Sequence, residues 1–451
     1  MKLRRWLVGG ALALVMALGV LVGSASSRAE EVSILMPSSF TDASADLVKA
    51  FNREHRGRIH LSLIRGPLNT ESISDLAISS LLLGDAPFDA LLMDVTWLPK
   101  YAAAGWLEAL DPWFGQGDQE QLVQGARLGN DYDGHLYRWP LVADVGLLYW
   151  RTDLMEQPPT TPDALVEVAG RLVESQAVAN GFVWQGRQYE GLSCDFLEVL
   201  QGFGGDWMDT TTNVMELDSP EATAAAAWLN GLISEGVSPY AVTNYAEAES
   251  LQAFKAGDAA LMRNWPYAWA ELQKDDSAVK GNVGISLMVA QPGERPGATL
   301  GSWGLSLMRQ SQHKEAAVEA IRYLTSEDAQ RQRFLNNGYT PIQADLFNDP
   351  EMLKASPVLP DLLVALNHAV VRPPTPLYAQ LSDVVQRELN GLFTAAGSAD
   401  EAMATSQQRS QTLLRAAGAR HDDAPGCTCA SVDRGGVRLA DAALRLAELP
   451  R

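Results

Sequence analysis

Short apolar runs alternate with amphipathic stretches of helical period along most of this chain. Val32-Ser33-Ile34-Leu35-Met36 reads as a buried strand, and Ala43 to His55 as a helix with Ala43, Leu47, Ala50 and Phe51 on one face. Ile59 to Ile64 returns as a second strand, a helix runs from Ser72 to Leu83, and Phe88 to Met93 is a third strand. Strand, helix and strand in this order, with crossovers of this length, predict a parallel sheet covered by helices. Asp94 follows the third strand, at the end of an open α/β sheet where ligands bind.

From Pro140 to Trp150 the pattern becomes extended and strongly apolar, which predicts a crossing into a second lobe. Helices follow at Pro162 to Gln176 and Pro220 to Glu235, the latter capped by Ser219 or Asp218 and ended by Gly236. Gly281 to Ala290 reads as a strand returning to the first lobe, and Lys314 to Asn337 as one helix stopped by Gly338. The expected organisation is an α/β fold of two lobes: residues 30–141 with 284–326, and residues 145–282 with 330–418. Two lobes joined by several crossings make a hinge with a cleft between them. Residues 419–451 shift to Arg, Asp, Gly and Ala and are expected to form a poorly ordered tail, a small partner-binding helix being the alternative.

At 451 residues and 47% hydrophobic, the chain has the material for two ordinary cores. Its first segment reads as an export signal: Lys2, Arg4 and Arg5 precede an uncharged apolar run from Trp6 to Val22, then small residues. Ser27-Arg28-Ala29 offers a cleavage site, so residues 1–29 are expected to be absent from the mature, periplasmic form. An uncleaved anchor is the alternative, for which the run is short. That segment carries four basic and no acidic residues, so cleavage takes the formal charge from -20 to -24, which argues against a nucleic-acid partner. Three cysteines, Cys194, Cys427 and Cys429, support neither a disulfide framework nor a four-ligand zinc site, and no cofactor is implied.

Twelve tryptophans are many for this length, and several lie in polar loops marked by Gly and Pro. Pyranose rings have apolar C–H faces and polar edges, so a sugar site needs flat aromatic platforms beside carboxylates, amides and guanidinium groups. Trp265 and Tyr267 in Arg263-Asn264-Trp265-Pro266-Tyr267, and Trp303 in Gly301-Ser302-Trp303-Gly304, have that character. Asp94, Asp144 at the proposed crossing, and Arg372 before the rigid Pro373-Pro374-Thr375-Pro376 turn are the candidate polar partners. For each residue alone, core packing or a solvated surface is the plainer explanation. The nucleophile elbow, the zinc-protease helix motif and the phosphate-binding loop are missing from the sequence. Asp94 and Asp144 facing each other as a glycosidase pair remain open at this level.

Taken together, the motifs are specific. Asp89 to Trp97 with Ala102 to Leu107, Asp144 to Tyr149, Phe254 to Pro266, Gly301-Ser302-Trp303, and Arg372-Pro373 with Tyr378 occur in this order between Val32 and Gly418. In this the chain resembles the extracellular solute-binding proteins of sugar ABC importers, above all the trehalose/maltose-binding branch. The resemblance implies a type II, maltose-binding-like fold that closes on a sugar and hands it, as a monomer, to membrane permease subunits. It implies hydroxyl-binding roles for Asp94 and Asp144, stacking roles for Trp265 and Trp303, and cleft contacts from Gly301, Arg372, Tyr378 and Arg65. Val142, and Pro37-Ser38-Ser39-Phe40 without an acidic residue, depart from the disaccharide pattern and admit a different solute, such as a glycosylated glycerol. A secreted carbohydrate-active enzyme and a receptor for a non-sugar ligand are the competing readings.

Overall fold

Side-chain alternation in the strands decides which layer each residue feeds. The computed structural model describes residues 29–84, 87–395 and 397–422. The chain begins with β1 (Glu30–Pro37), α1 (Ser38–Glu54), β2 (Ile59–Gly66), α2 (Thr70–Leu82) and β3 (Ala90–Asp94), the predicted alternation. Next come β4 (Trp139–Val142), β5 (Leu147–Arg151), α3 (Pro162–Glu174), β6 (Asn180–Val183), α4 (Glu190–Gly202), α5 (Pro220–Ser234) and α6 (Glu247–Lys255). β7 (Ala259–Asn264), α7 (Tyr267–Leu272), β8 (Val283–Ser286), β9 (Ala298–Thr299), β10 (Trp303–Leu307), α8 (Lys314–Leu324) and α9 (Glu327–Asn337) follow. The described chain closes with β11 (Ala369–Val370), α10 (Tyr378–Thr394) and α11 (Ala399–Asp422).

Two sheets define the two lobes. The first has the order β2-β1-β3-β10-β4 and the second β8-β5-β7-β6. β1 runs parallel to β2 and β3, and β7 to β6. β10 is antiparallel to β3 and β4, and β5 to β7 and β8. The sheets are therefore mixed: strands that arrive by crossing between lobes enter against the parallel direction.

Leu35, Leu91 and Met93 point to one face of the first sheet, where Ile73, Ala77 and Leu81 of α2 cover them. Ile34, Met36 and Leu92 point the other way, into a core that also takes Leu147, Tyr149 and Met262 of the second sheet. Leu148, Phe182 and Leu261 fill a third core on the far side of that sheet, under α4, α5 and α10. One apolar body thus spans both lobes, and its burial is the main favourable contribution to keeping them together.

The sequence reading needs correcting at two elements. Residues 283–286 do not return to the first lobe: β8 pairs with β5 in the second sheet, and the returning strand is β10. Both are short apolar runs, and a strand's own pattern does not name its partner. The single helix over residues 314–337 is two helices, because Ser326 caps a new one by accepting the Ala329 amide at 3.4 Å, with Glu327 and Asp328 in its first turn. Gly338 does end the second, in left-handed conformation at φ 73°. Ser219 caps α5 as expected, accepting the Ala222 amide at 3.2 Å. Ser219→Ala is expected to lower stability by about 1 kcal/mol in urea unfolding, with the slope of the transition unchanged.

Three chain crossings lie side by side between the sheets. Gly146 N donates to Thr299 O at 3.1 Å and Gly301 N to Asp144 O at 2.7 Å, which joins the first crossing to the second. Leu300 N donates to Val370 O at 2.9 Å and Ala298 N to His368 O at 3.2 Å, which joins the second to the third. This ribbon is the hinge. Residues 1–28 of the expected export signal, and residues 423–451 of the expected tail with Cys427 and Cys429, lie outside the described residues. Among the described residues no helix is long and apolar enough to cross a membrane.

Candidate ligand site at the hinge

The carboxyl end of the first sheet gathers residues far apart in sequence. Asp94 ends β3, and in register it stands opposite Trp303, the first residue of β10, which in turn stands opposite Val142 at the end of β4. Asp94 is buried, and its Oδ1 accepts the Thr96 amide at 2.9 Å and the Thr96 hydroxyl at 2.7 Å. Val142 is 1% exposed and belongs to the core, so its side chain offers little to a solute.

Arg372 follows the third crossing and fills the space between the lobes. Its Nη2 lies 3.1 Å from Asp94 Oδ1 and 3.3 Å from Oδ2, and donates to the Leu300 carbonyl at 3.2 Å. Its Nη1 donates to Oε1 of Glu190, at the start of α4, at 2.5 Å. Tyr378 donates its hydroxyl to the same oxygen at 2.5 Å, and Ser382 donates to the other at 2.7 Å. Burial raises the Glu190 pKa, and Arg372, Tyr378 and Ser382 work against that rise. Asp94 of one lobe and Glu190 of the other are therefore bridged by one guanidinium.

Asp144 sits in the first crossing. Its Oδ1 accepts the Thr340 hydroxyl at 2.5 Å and the Thr340 amide at 3.3 Å. Burial nevertheless pushes its carboxyl up to about 6. Asp94 and Asp144 are each tied to other partners, not to one another.

Trp265 follows β7 and is held on several sides. The Arg263 guanidinium lies 4.0 Å from its ring centroid, Glu247 Oε1 accepts its indole N–H at 3.2 Å, and its carbonyl accepts the Tyr149 hydroxyl at 2.8 Å. Its six-membered ring also lies against Gly301, where a Cβ would stand 2.7 Å from it. Glycine is needed at that position for the close approach, not for its conformation. Tyr267 opens α7 half-buried, and burial, with Glu247 and Glu271 nearby, raises its phenol pKa.

Trp303 closes the opposite side as part of an aromatic wall. Its ring centroid is 5.4 Å from Trp97 and 5.5 Å from Phe40, and Phe40 stacks on Tyr339 at 4.7 Å. In the segment read as an amino-terminal loop, Pro37 ends β1 and Ser38-Ser39-Phe40 open α1, with an aromatic ring and no acidic residue. Arg65 stands apart: it lies at the end of β2, and its guanidinium is paired with Asp42 on an exposed surface. Two depressions flank the cluster, an apolar one of about 210 Å³ against Tyr149 and Phe334 and a polar one of about 340 Å³ against Trp207 and Pro373. Neither is lined by Asp94, Asp144 or Trp303.

Glu190, Glu247, Thr340 and Tyr339 were not singled out from sequence, and Phe40 was read only as part of a departure from the disaccharide pattern. Glu190 had a weak signal: it is a carboxylate that opens the helix following β6. Thr340 and Tyr339 had none, because their partners lie far away along the chain. Among the described residues, no group of three or more His, Cys, Asp or Glu is placed to hold a metal.

Carboxylates, a guanidinium and aromatic faces gathered on a three-crossing hinge define a binding protein of the two-lobed, closing-cleft class. The family of bacterial extracellular solute-binding proteins matches residues 37–331, and this chain belongs to that family. It is 33% identical over 359 residues to a probable ABC transporter-binding protein of Deinococcus radiodurans, covering 74% of this chain and 82% of that one. It is 26% identical over 322 residues to the maltotriose-binding protein of Pyrococcus abyssi, covering 70% and 68%. The maltose-bound T. maritima MalE3 structure superimposes with a TM-score of 0.79 at 33% identity, covering 86% of this chain and all of that one. A ribitol complex from Agrobacterium radiobacter K84, at 21% identity and a TM-score of 0.76, shares the fold. The protein is thus an exported solute-binding component of the ABC-transporter type, and proteins of this family bind their solutes without transforming them. The enzymatic reading of Asp94 and Asp144 falls with that.

Proposed function

We propose that this protein captures a sugar or a glycosidic solute between its lobes in a periplasm-like space and delivers it, as a monomer, to the permease of an importer. The observation that carries this reading is the pair of half-buried indoles: Trp265 packs against Gly301, whose amide donates to the Asp144 carbonyl, and Trp303, two residues on, stands opposite Asp94. Aromatic faces cover the C–H face of a pyranose, and carboxylates accept its hydroxyls. The names of the maltotriose-binding relative and the maltose complex support a saccharide. The departures from the disaccharide pattern at Val142, which is buried, and at Pro37-Ser38-Ser39-Phe40, which has no acidic residue, support a solute other than a plain disaccharide, such as a glucosylglycerol.

Closure follows from contacts made to both lobes. A solute that touches Asp94 on one side and Trp265 on the other stabilises the closed state by the difference between its affinities for the two states. The test is a thermal-shift screen against maltose, trehalose, maltotriose, glucosylglycerol and a set of peptides, followed by calorimetry. A saccharide or glycoside is expected to raise the melting temperature, with affinity falling at least tenfold in Trp265→Ala and in Asp94→Ala. A shift with peptides and none with any saccharide would sink the reading.

A further inference from the structure

Beneath Trp265 lies a buried ion pair whose residues are not among those proposed to contact the solute. Arg263 and Glu198 are each 0% exposed, far below what an unpartnered charge tolerates. Arg263 Nε donates to Glu198 Oε2 at 2.9 Å, Nη2 donates to Glu198 Oε1, and Nη1 donates to Gln185 Oε1 at 3.2 Å. Asp195 Oδ1 stands 3.0 Å from Nε, off the hydrogen-bonding direction. The guanidinium plane is fixed by this fork, and Trp265 rests on it at 4.0 Å.

The same pair meets the hinge ribbon twice. Glu198 Oε1 accepts the Thr299 amide at 3.3 Å in the second crossing. In the first crossing it lies over Gly146, where a Cβ would fall 1.7 Å from Glu198 Oε1 and 2.4 Å from Arg263 Nη2. Thr299 is further fastened by its hydroxyl, which donates to the Cys194 carbonyl of α4 at 2.8 Å. One ion pair thus sits where α4, β7 and two of the three crossings meet.

We propose that Arg263, fixed by Glu198, is a positioning residue: it sets the indole plane of Trp265 for stacking and ties that plane to the hinge crossings. This rests on the reading of Trp265 as a solute platform. Lysine at position 263 keeps the charge but has neither a plane for the indole nor a fork for Glu198. A role confined to holding the fold lowers affinity whether or not the indole is present; a positioning role acts only through it.

The experiment is a double-mutant cycle of Arg263→Lys with Trp265→Ala, read by calorimetry with maltose and by the ¹⁵N-indole spectrum of the ligand-free protein. Arg263→Lys is expected to weaken maltose binding about tenfold when Trp265 is present and to add nothing in Trp265→Ala. In the ligand-free spectrum the Trp265 indole resonance, identified by its loss in Trp265→Phe, is expected to shift and broaden while the Trp303 resonance stays. Equal weakening in both backgrounds, or an unchanged Trp265 resonance, overturns the proposal. Full maltose affinity in Trp265→Ala overturns it together with the platform reading. If the parent protein does not bind maltose, only the choice of solute fails, and the indole spectrum decides the positioning role. Should Arg263→Lys not fold, Glu198→Gln, which keeps the shape of the fork, goes through the same measurements.

Discussion

Arg372→Met is expected to lower stability by about 3–5 kcal/mol and to abolish measurable saccharide binding, because one guanidinium serves both lobes at once. Its removal takes the ion-pair partner from the buried Asp94 and the partly buried Glu190, and deprives the Leu300 carbonyl and thereby the second crossing of a donor. Most of the cost comes from the two stranded carboxylates and not from the net value of the pairs. The double variant Arg372→Met with Glu190→Gln is therefore expected to recover part of the stability and none of the binding. Urea unfolding and calorimetry on the single and double variants check both statements. A loss under 1 kcal/mol, or additive losses in the double variant, would refute the bridging role.

Asp144→Asn is expected to stabilise the protein at neutral pH by up to about 3 kcal/mol and to leave it unchanged near pH 4. The folded-state pKa rises from the ordinary 3.8 to about 6 because burial penalises the charge. The folded state then holds the proton more tightly than the unfolded chain. Stability from this group is full below about 4, is lost as pH rises through about 6, and stays lost above it. Asparagine carries no charge to desolvate and still accepts the Thr340 hydroxyl, so melting curves of the variant should lose that slope. Binding should move the other way: if the ionised Asp144 accepts a solute hydroxyl, affinity rises through about pH 6 in the parent and stays low and flat in the variant. A parent melting temperature that does not fall between about pH 4 and pH 7 would count against a raised Asp144 pKa.

The first lobe's opening alternation was legible because each element carries its own period. Leu47 and Phe51 lie on the buried face of α1 as read, whereas Ala43 and Ala50 are only partly buried; Ser44 completes the face, as does Phe40, because the helix starts five residues earlier than Ala43. Asp94 was legible for a simple reason: a charged residue directly after an apolar strand has few places to be except the sheet's end. Pairing was not legible. Nothing in Val283–Ser286 distinguishes a strand that joins β5 from one that returns to β3, and that choice is made by the whole ribbon. Nor does the sequence around Arg372 state that it spends its two nitrogens on Asp94 and Glu190. Of the residues carried over by resemblance, Arg65 had a partner that the sequence did not name: near the end of β2, its guanidinium pairs with Asp42.

The place of β10 in the first sheet has a consequence for the order of events during synthesis. It lies between β3 and β4, yet it emerges only after the whole second sheet, so the first lobe cannot close its sheet until residue 307 has left the ribosome. Before that, β3 and β4 present unpaired edges to each other across a missing strand. Contacts this distant along the chain slow folding, and the slow step falls late.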